Sequence, residues 1–179
     1  FAVDKPTYCI PNAVVTFNNS SSMPDGSGMT YAWDFGEPLS PNNTSTGFSP
    51  SHWYSSEGPF NVRLTVRSTT LLTPSGTGCA HDTVIAVTNI HPQPKAAFSI
   101  NKPAGICIGD DVTFTDNTDG KDGVVNQWIW DMGDGSIRNT STVTYTYTDT
   151  ITFSVKFYAV NSFGCNSDTI TKLFTVYPY

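Results

Sequence analysis

Cations are scarce in this sequence: nine lysines and arginines in 179 residues, against fifteen aspartates and glutamates, for a net charge of −6. Phosphate backbones are held by clustered cations, and these few are scattered along the whole chain, so nucleic acid is excluded as a partner. Glutamate occurs only as Glu37 and Glu57, and leucine and alanine are few, which removes the residues that favour helices. No stretch carries a clean 3.6-residue period, and no apolar run approaches the ~20 residues of a membrane span. The sequence has no Gly-x-Ser-x-Gly, no His-Glu-x-x-His and no phosphate-cradling glycine loop. His52, His81 and His91 lack metal-ligand spacing. Without a nucleophile and its base, the expectation is a protein that is not an enzyme.

What is abundant is Thr, Ser, Val, Gly, Pro and aromatics, a composition of strands and turns. One stretch occurs twice, Tyr31-Ala-Trp-Asp-Phe-Gly36 and Trp128-Ile-Trp-Asp-Met-Gly-Asp-Gly135. Each alternates large apolar with smaller or polar residues and breaks at glycine, as a half-buried strand running into a turn does. Trp33 and Trp130 are the expected core anchors, 97 positions apart (130 − 33), and Val15 and Val112 keep the same spacing. Downstream the spacing falls to 93 at Tyr54 and Tyr147, then to 86 at Cys79 and Cys165. The first copy therefore has four extra residues between Asp34 and Tyr54. It has seven more before Cys79, where Ser68 to Gly78 reads as a long hairpin tip. In Phe60 to Arg67, Phe60, Val62, Leu64 and Val66 alternate with polar residues, and Phe153, Val155, Phe157 and Ala159 repeat the pattern. That period of two implies two sheets packed face to face in each copy.

The reading is all-β: two tandem antiparallel β-sandwiches, over residues 1–90 and 95–179, joined by a Pro-containing linker at 91–94. Pro92 and Pro94 make that linker stiff, so an end-to-end arrangement is expected. Phe1-Ala-Val3 matches Phe98-Ser-Ile100, and both ends read as cut from a longer polypeptide. Four cysteines, two per copy, point to an oxidising compartment outside the cytoplasm. The expected bonds are Cys9 to Cys79 and Cys107 to Cys165, each tying an early strand to the start of the last.

The run Trp130-Asp131-Met132-Gly133-Asp134-Gly135, with Val112 to Thr118 before it and Tyr145 to Val155 after it, resembles the signature strands of PKD domains. Trp33, Asp34 and Gly36 carry the same signature in the first copy, where Glu37-Pro38 stands in place of Asp134-Gly135. The resemblance implies an immunoglobulin-like sandwich from large secreted or surface proteins, often in arrays, including bacterial adhesins, proteases and polysaccharide-degrading enzymes. Cys107-Ile-Gly and Gly164-Cys165 look most like PKD repeats of bacterial cell-surface proteins. The implied role is a non-catalytic spacer and adhesion or interaction module at the cell surface, with further repeats in the same chain. The alternative is a polysaccharide- or protein-binding accessory module of a secreted hydrolase.

Candidate sites are few. Asp34 and Asp131, each beside a turn glycine, are expected to accept backbone N–H bonds that fix the turn. Asp110, Asp111, Asp116, Asp119 and Asp122 fall in one turn-rich span. Some PKD-like domains bind calcium, so Asp116, Asp119 and Asp122 are the calcium candidates, and no other cofactor is expected. The tripeptides at Asp82, Asp149 and Asp168 resemble bacterial O-glycosylation acceptors. Trp53 and Tyr158 are out of phase with the inward residues of their strands and could offer a ring to a sugar or a protein partner.

Overall fold

Alternating side chains and β-branched residues put this chain into strands, and every regular element among the described residues is one. The computed structural model describes residues 1–24, 26, 28–69 and 79–179. The hairpin tip expected at Ser68 to Gly78 falls largely on residues outside that set. The chain divides into two units, Phe1–His91 and Pro92–Tyr179.

In the first unit the strands are β1 (Ala2–Val3), β2 (Tyr8–Cys9), β3 (Ala13–Asn18), β4 (Met29–Asp34), β5 (Thr44–Ser45), β6 (Ser51–Tyr54), β7 (Phe60–Ser68), β8 (Ala80–Val87) and β9 (Ile90–His91). One sheet runs β1-β3-β6 and the other β5-β4-β7-β8, with β2 and β9 forming a separate parallel pair. The second unit has β10 (Phe98–Ile100), β11 (Ile106–Cys107), β12 (Asp111–Asp116), β13 (Val125–Asp131), β14 (Ile137–Arg138), β15 (Thr142–Thr146), β16 (Thr152–Asn161) and β17 (Ile170–Tyr177). Its sheets are β10-β12-β15 and β11-β17-β16-β13-β14. In both units the leading segment pairs first with one sheet and then runs parallel to the outgoing strand, in the separate pair β2-β9 of the first unit and within the five-stranded sheet of the second.

Trp33 and Trp130 are the largest fully buried side chains of their units. Burial of each contributes at most about 4–6 kcal/mol of transfer free energy, taking 150–250 Å² at 25 cal/mol per Å². Each indole N–H donates to a backbone carbonyl, Trp33 to Gly47 and Trp130 to Thr140, both at 2.8 Å. Around them pack Phe17, Phe35 and Tyr54 in one unit, and Phe114, Met132 and Tyr147 in the other. The tyrosine hydroxyls close the cores, Tyr54 donating to the Phe35 carbonyl at 2.8 Å and Tyr147 to the Met132 carbonyl at 3.0 Å.

The cysteines correct the expectation. Cys79 and Cys107 are free thiols, while Cys9 and Cys165 are disulfide-bonded, so neither expected pair forms. Cys107 lies opposite Tyr177, at the end of β17, whereas Cys165 precedes the start of that strand at Ile170. The strand separates them by roughly 23 Å at 3.3 Å per residue, far beyond the 4.4–6.8 Å Cα separation of a disulfide. In the first unit Cys9 lies opposite His91, and Cys79 adjoins Ala80 at the far end of β8.

Candidate functional site

The site expected at the repeated signature is built by the turn after the tryptophan strand. In the second unit the Met132 amide donates to the Ser136 carbonyl at 3.0 Å, closing a short turn into β14. Asp131 Oδ1 accepts the Gly133 amide at 3.0 Å, and Asp134 Oδ1 accepts the Ser136 amide at 2.9 Å. Gly133 has φ +85°, and a Cβ there would lie 2.9 Å from the Ser154 backbone, so only glycine fits. In the first unit the equivalent closure runs from the Phe35 amide to the Asn43 carbonyl at 2.8 Å, four residues longer. Asp34 Oδ1 accepts both the Gly36 amide and the Asn43 side-chain amide at 2.9 Å. Both aspartates thus serve as turn acceptors.

Inside the longer loop lies a polar cluster that sequence reasoning missed. Glu37 Oε2 is 2.9 Å from His52 Nε2, and Glu37 Oε1 accepts the Ser55 hydroxyl at 3.0 Å. His52 is buried and stacked on Phe35, with ring centroids 4.5 Å apart. Burial pushes the Glu37 carboxyl up, but the hydrogen bonds from His52 and Ser55 outweigh it and hold the carboxyl below its ordinary value. The glutamate stands between the serine and the histidine, so the imidazole does not receive the hydroxyl proton as a catalytic base does.

Over this cluster Trp53 is 54% exposed, its indole N–H fixed at 2.6 Å by the Pro11 carbonyl. With Leu39, Ser40, Pro41, Ser55 and Glu37 it lines an open hollow of about 200 Å³. A rigid ring beside hydroxyls and a carboxylate can stack on a sugar face or seat an apolar side chain. Tyr158 is half-buried on the outer face of β16, opposite Ile129. There it lines a shallow hollow with Ile137 and Lys156, and the Lys156 ammonium lies 3.8 Å from Asp131. Trp53 and Tyr158 belong to different units.

At the position of His52 the second unit has Tyr145, whose hydroxyl donates to Asp134 Oδ2 at 2.7 Å. Burial raises the Asp134 carboxyl, and the hydrogen bonds from Tyr145 and Ser136 more than reverse it. The acid-to-strand link is therefore present in both units with both partners exchanged. The sequence signal was the 93-residue spacing, which pairs His52 with Tyr145 just as it pairs Tyr54 with Tyr147.

Two of the calcium candidates, Asp116 and Asp119, are engaged separately. Asp116 accepts the Thr118 amide at 2.8 Å and, also unforeseen, the Trp128 indole N–H at 2.7 Å. Asp119 is paired with Lys121 at 2.9 Å, which holds its carboxyl below the ordinary value. Among the described residues no three His, Cys, Asp or Glu side chains converge as a metal site. No described helix is long and apolar enough to cross a membrane.

Two family models, each described as PKD domain, match residues 1–70 and 91–176. The chain belongs to the PKD domain family. These tandem PKD domains are 35% identical over 115 residues to a microbial collagenase of Vibrio alginolyticus, covering 57% of this chain and 14% of that protein. They are 29% identical over 124 residues to the pre-pro-metalloprotease PrtV of Vibrio cholerae, covering 69% of this chain and 12% of the protease. The chain thus spans about one eighth of the curated relatives it matches. Among solved structures, the PKD1 domain of the PrtV metalloprotease aligns with 48% of this chain and 98% of its own, at 24% identity and a TM-score of 0.41.

Proposed function

We propose that this chain is a non-catalytic spacer and interaction module of a larger extracellular bacterial protein. The observation that carries the reading is the path of the backbone through each unit. In the second unit the chain comes in beside Asp116, opposite Phe98, and leaves at Tyr177, beside Cys107 and the start of β12. In the first, Ala2 faces Asn18 at one end of β3, while His91 leaves beside Cys9, near the other end. Each sandwich therefore takes the chain in at one end and releases it at the other, so a domain adds its strand length to whatever it joins.

Tension between those ends runs along the strands. It loads the parallel pairs in shear, through bonds such as Ile10 amide to His91 carbonyl at 3.0 Å and Ile108 amide to Tyr177 carbonyl at 2.9 Å. Bonds sheared together resist more than bonds opened one after another. Single-molecule pulling on the chain held at both ends tests this. With the disulfide of Cys9 and Cys165 reduced, two discrete ruptures are expected, each releasing roughly 300 Å of contour at about 3.4 Å per residue. Ile108→Pro, which removes one donor, should weaken one rupture only. Smooth extension without discrete ruptures would count against a spacer that bears tension.

A second reading is favoured by one observation, the fixed and exposed ring of Trp53 over a hollow lined by hydroxyls and Glu37. On it the chain is an accessory module that holds a polysaccharide or a protein for a neighbouring hydrolase. Glycan-array and pull-down binding that disappears in Trp53→Ala, with stability retained, would select this reading.

A further inference from the structure

The four cysteines occupy two positions that recur in both units. At the first, Cys9 faces His91 and Cys107 faces Tyr177, and the following amides, of Ile10 and Ile108, donate to the carbonyls of His91 and Tyr177 at 3.0 and 2.9 Å. At the second, the Cys79 carbonyl accepts the Ser68 amide at 2.9 Å and the Cys165 carbonyl accepts the Asn161 amide at 3.1 Å. The first position lies at the outgoing end of its sandwich and the second at the incoming end. One cysteine of each kind, Cys9 and Cys165, is disulfide-bonded, and one of each kind, Cys107 and Cys79, is free. The strand-length separation inside each unit forbids a bond between its own two positions.

We propose that Cys107 and Cys79 are the two halves of a linkage between successive copies of this chain, Cys107 of one copy bonding Cys79 of the next. The position of each free thiol is the position of an oxidised one in the sister unit, which supplies the observation that a single thiol lacks. Cys79 is exposed and Cys107 half-buried, so both can be reached. The chemistry is thiol–disulfide exchange with a low-molecular-weight disulfide such as oxidised glutathione. The Cys107 thiolate attacks one glutathione sulfur, forming a mixed disulfide and releasing one glutathione thiolate. The Cys79 thiolate then attacks the Cys107 sulfur and releases the second. Two cysteine thiols are oxidised, one glutathione disulfide is reduced to two thiols, and the two protons end on the released glutathiones. The linkage rests on cysteine placement and holds whether or not the chain bears tension or binds a ligand.

The test uses two full copies of the chain fused through Pro-Lys-Ala-Ala. With Pro178 and Tyr179, that insert reproduces the spacing from Pro92 to Ala97 that leads to Phe98. After oxidation with glutathione disulfide, alkylation and non-reducing peptide mapping should find Cys107 of the first copy bonded to Cys79 of the second, the remaining Cys79 and Cys107 being alkylated. Alkylation of all four overturns the proposal, as does a bond between Cys79 and Cys107 of one copy. A second measurement does not depend on the fusion. Cys79→Ser and Cys107→Ser chains, each keeping one free thiol, are oxidised alone and mixed. Covalent dimers confined to the mixture support complementary positions, and dimers formed equally well by either variant alone overturn them.

Discussion

Tyr147→Phe isolates one buried hydrogen bond. The tyrosine is 1% exposed, and its hydroxyl donates to the Met132 carbonyl at 3.0 Å in the turn that carries Gly133 and Asp134. The ring stays packed after the change, stacked on Phe153 at 4.1 Å and tilted against Phe174 at 5.8 Å, so little apolar contact is lost. What remains is a carbonyl whose donor has been removed where water does not reach. Such a group costs about 1–3 kcal/mol, and the small adjustment open to a short turn places the expected value at about 1–2 kcal/mol. For a domain of this size that lowers the melting temperature by roughly 5–15 °C. Only the second unit should respond, because the first has its own core. Differential scanning calorimetry is the assay, with Tyr54→Phe as the mirror variant that assigns the transitions, and urea denaturation should give a lower midpoint at unchanged slope. A loss below about 0.3 kcal/mol, or an equal shift of both transitions by one variant, would refute the reasoning.

Gly133→Ala and Gly36→Ala should each destabilise their own unit, since the added carbon meets backbone at 2.9 and 2.7 Å and φ is positive; chemical denaturation measures the loss, on the order of 1–3 kcal/mol. The Glu37 carboxyl is held below its ordinary 4.5 in the fold, so its contribution is full above that pH and is lost as pH falls through the lowered value. Glu37→Gln should accordingly flatten the acid limb of the first unit's stability curve, read as melting temperature against pH. Two of the three calcium candidates, Asp116 and Asp119, are already engaged by Thr118, Trp128 and Lys121, so millimolar calcium is expected to leave both transitions in place; a rise confined to the second unit would show that calcium binds there.

The sandwich was legible because its signals are local. Trp33 and Trp130 announce the core by alternation, and the inward rows from Phe60 and Phe153 follow from period two alone. Asp34 and Asp131 were legible for the same reason, since a carboxylate two residues before a turn amide needs no partner from afar. The cysteine bonds were not, because flanking the same strands in sequence says nothing about which end of a strand a residue occupies. Cys107 and Cys165 both border β17, at opposite ends. Glu37 and His52 were missed because a half-buried loop acid is recognised by what faces it from a distant strand, and their unit-two counterparts, Asp134 and Tyr145, share neither residue type. Trp53 is exposed as its phase suggested, and its anchoring by Pro11 comes from a turn 42 positions away. Tyr158 is outward-facing but half-covered by its neighbours on the sheet.

The segment that leads into each unit changes partners partway along its length, from β3 to β9 in the first unit and from β12 to β17 in the second. It acts as a clasp with one hook on an early strand and one on the outgoing strand. Stripping it would bare the edge of β3 and the outgoing pair position beside β9 together, and likewise β12 and β17, leaving two open rows of amides and carbonyls rather than one. A molecule that has lost its clasp is a template for the clasp of another, so exchange of this segment between chains is the route by which these domains would become entangled at high concentration.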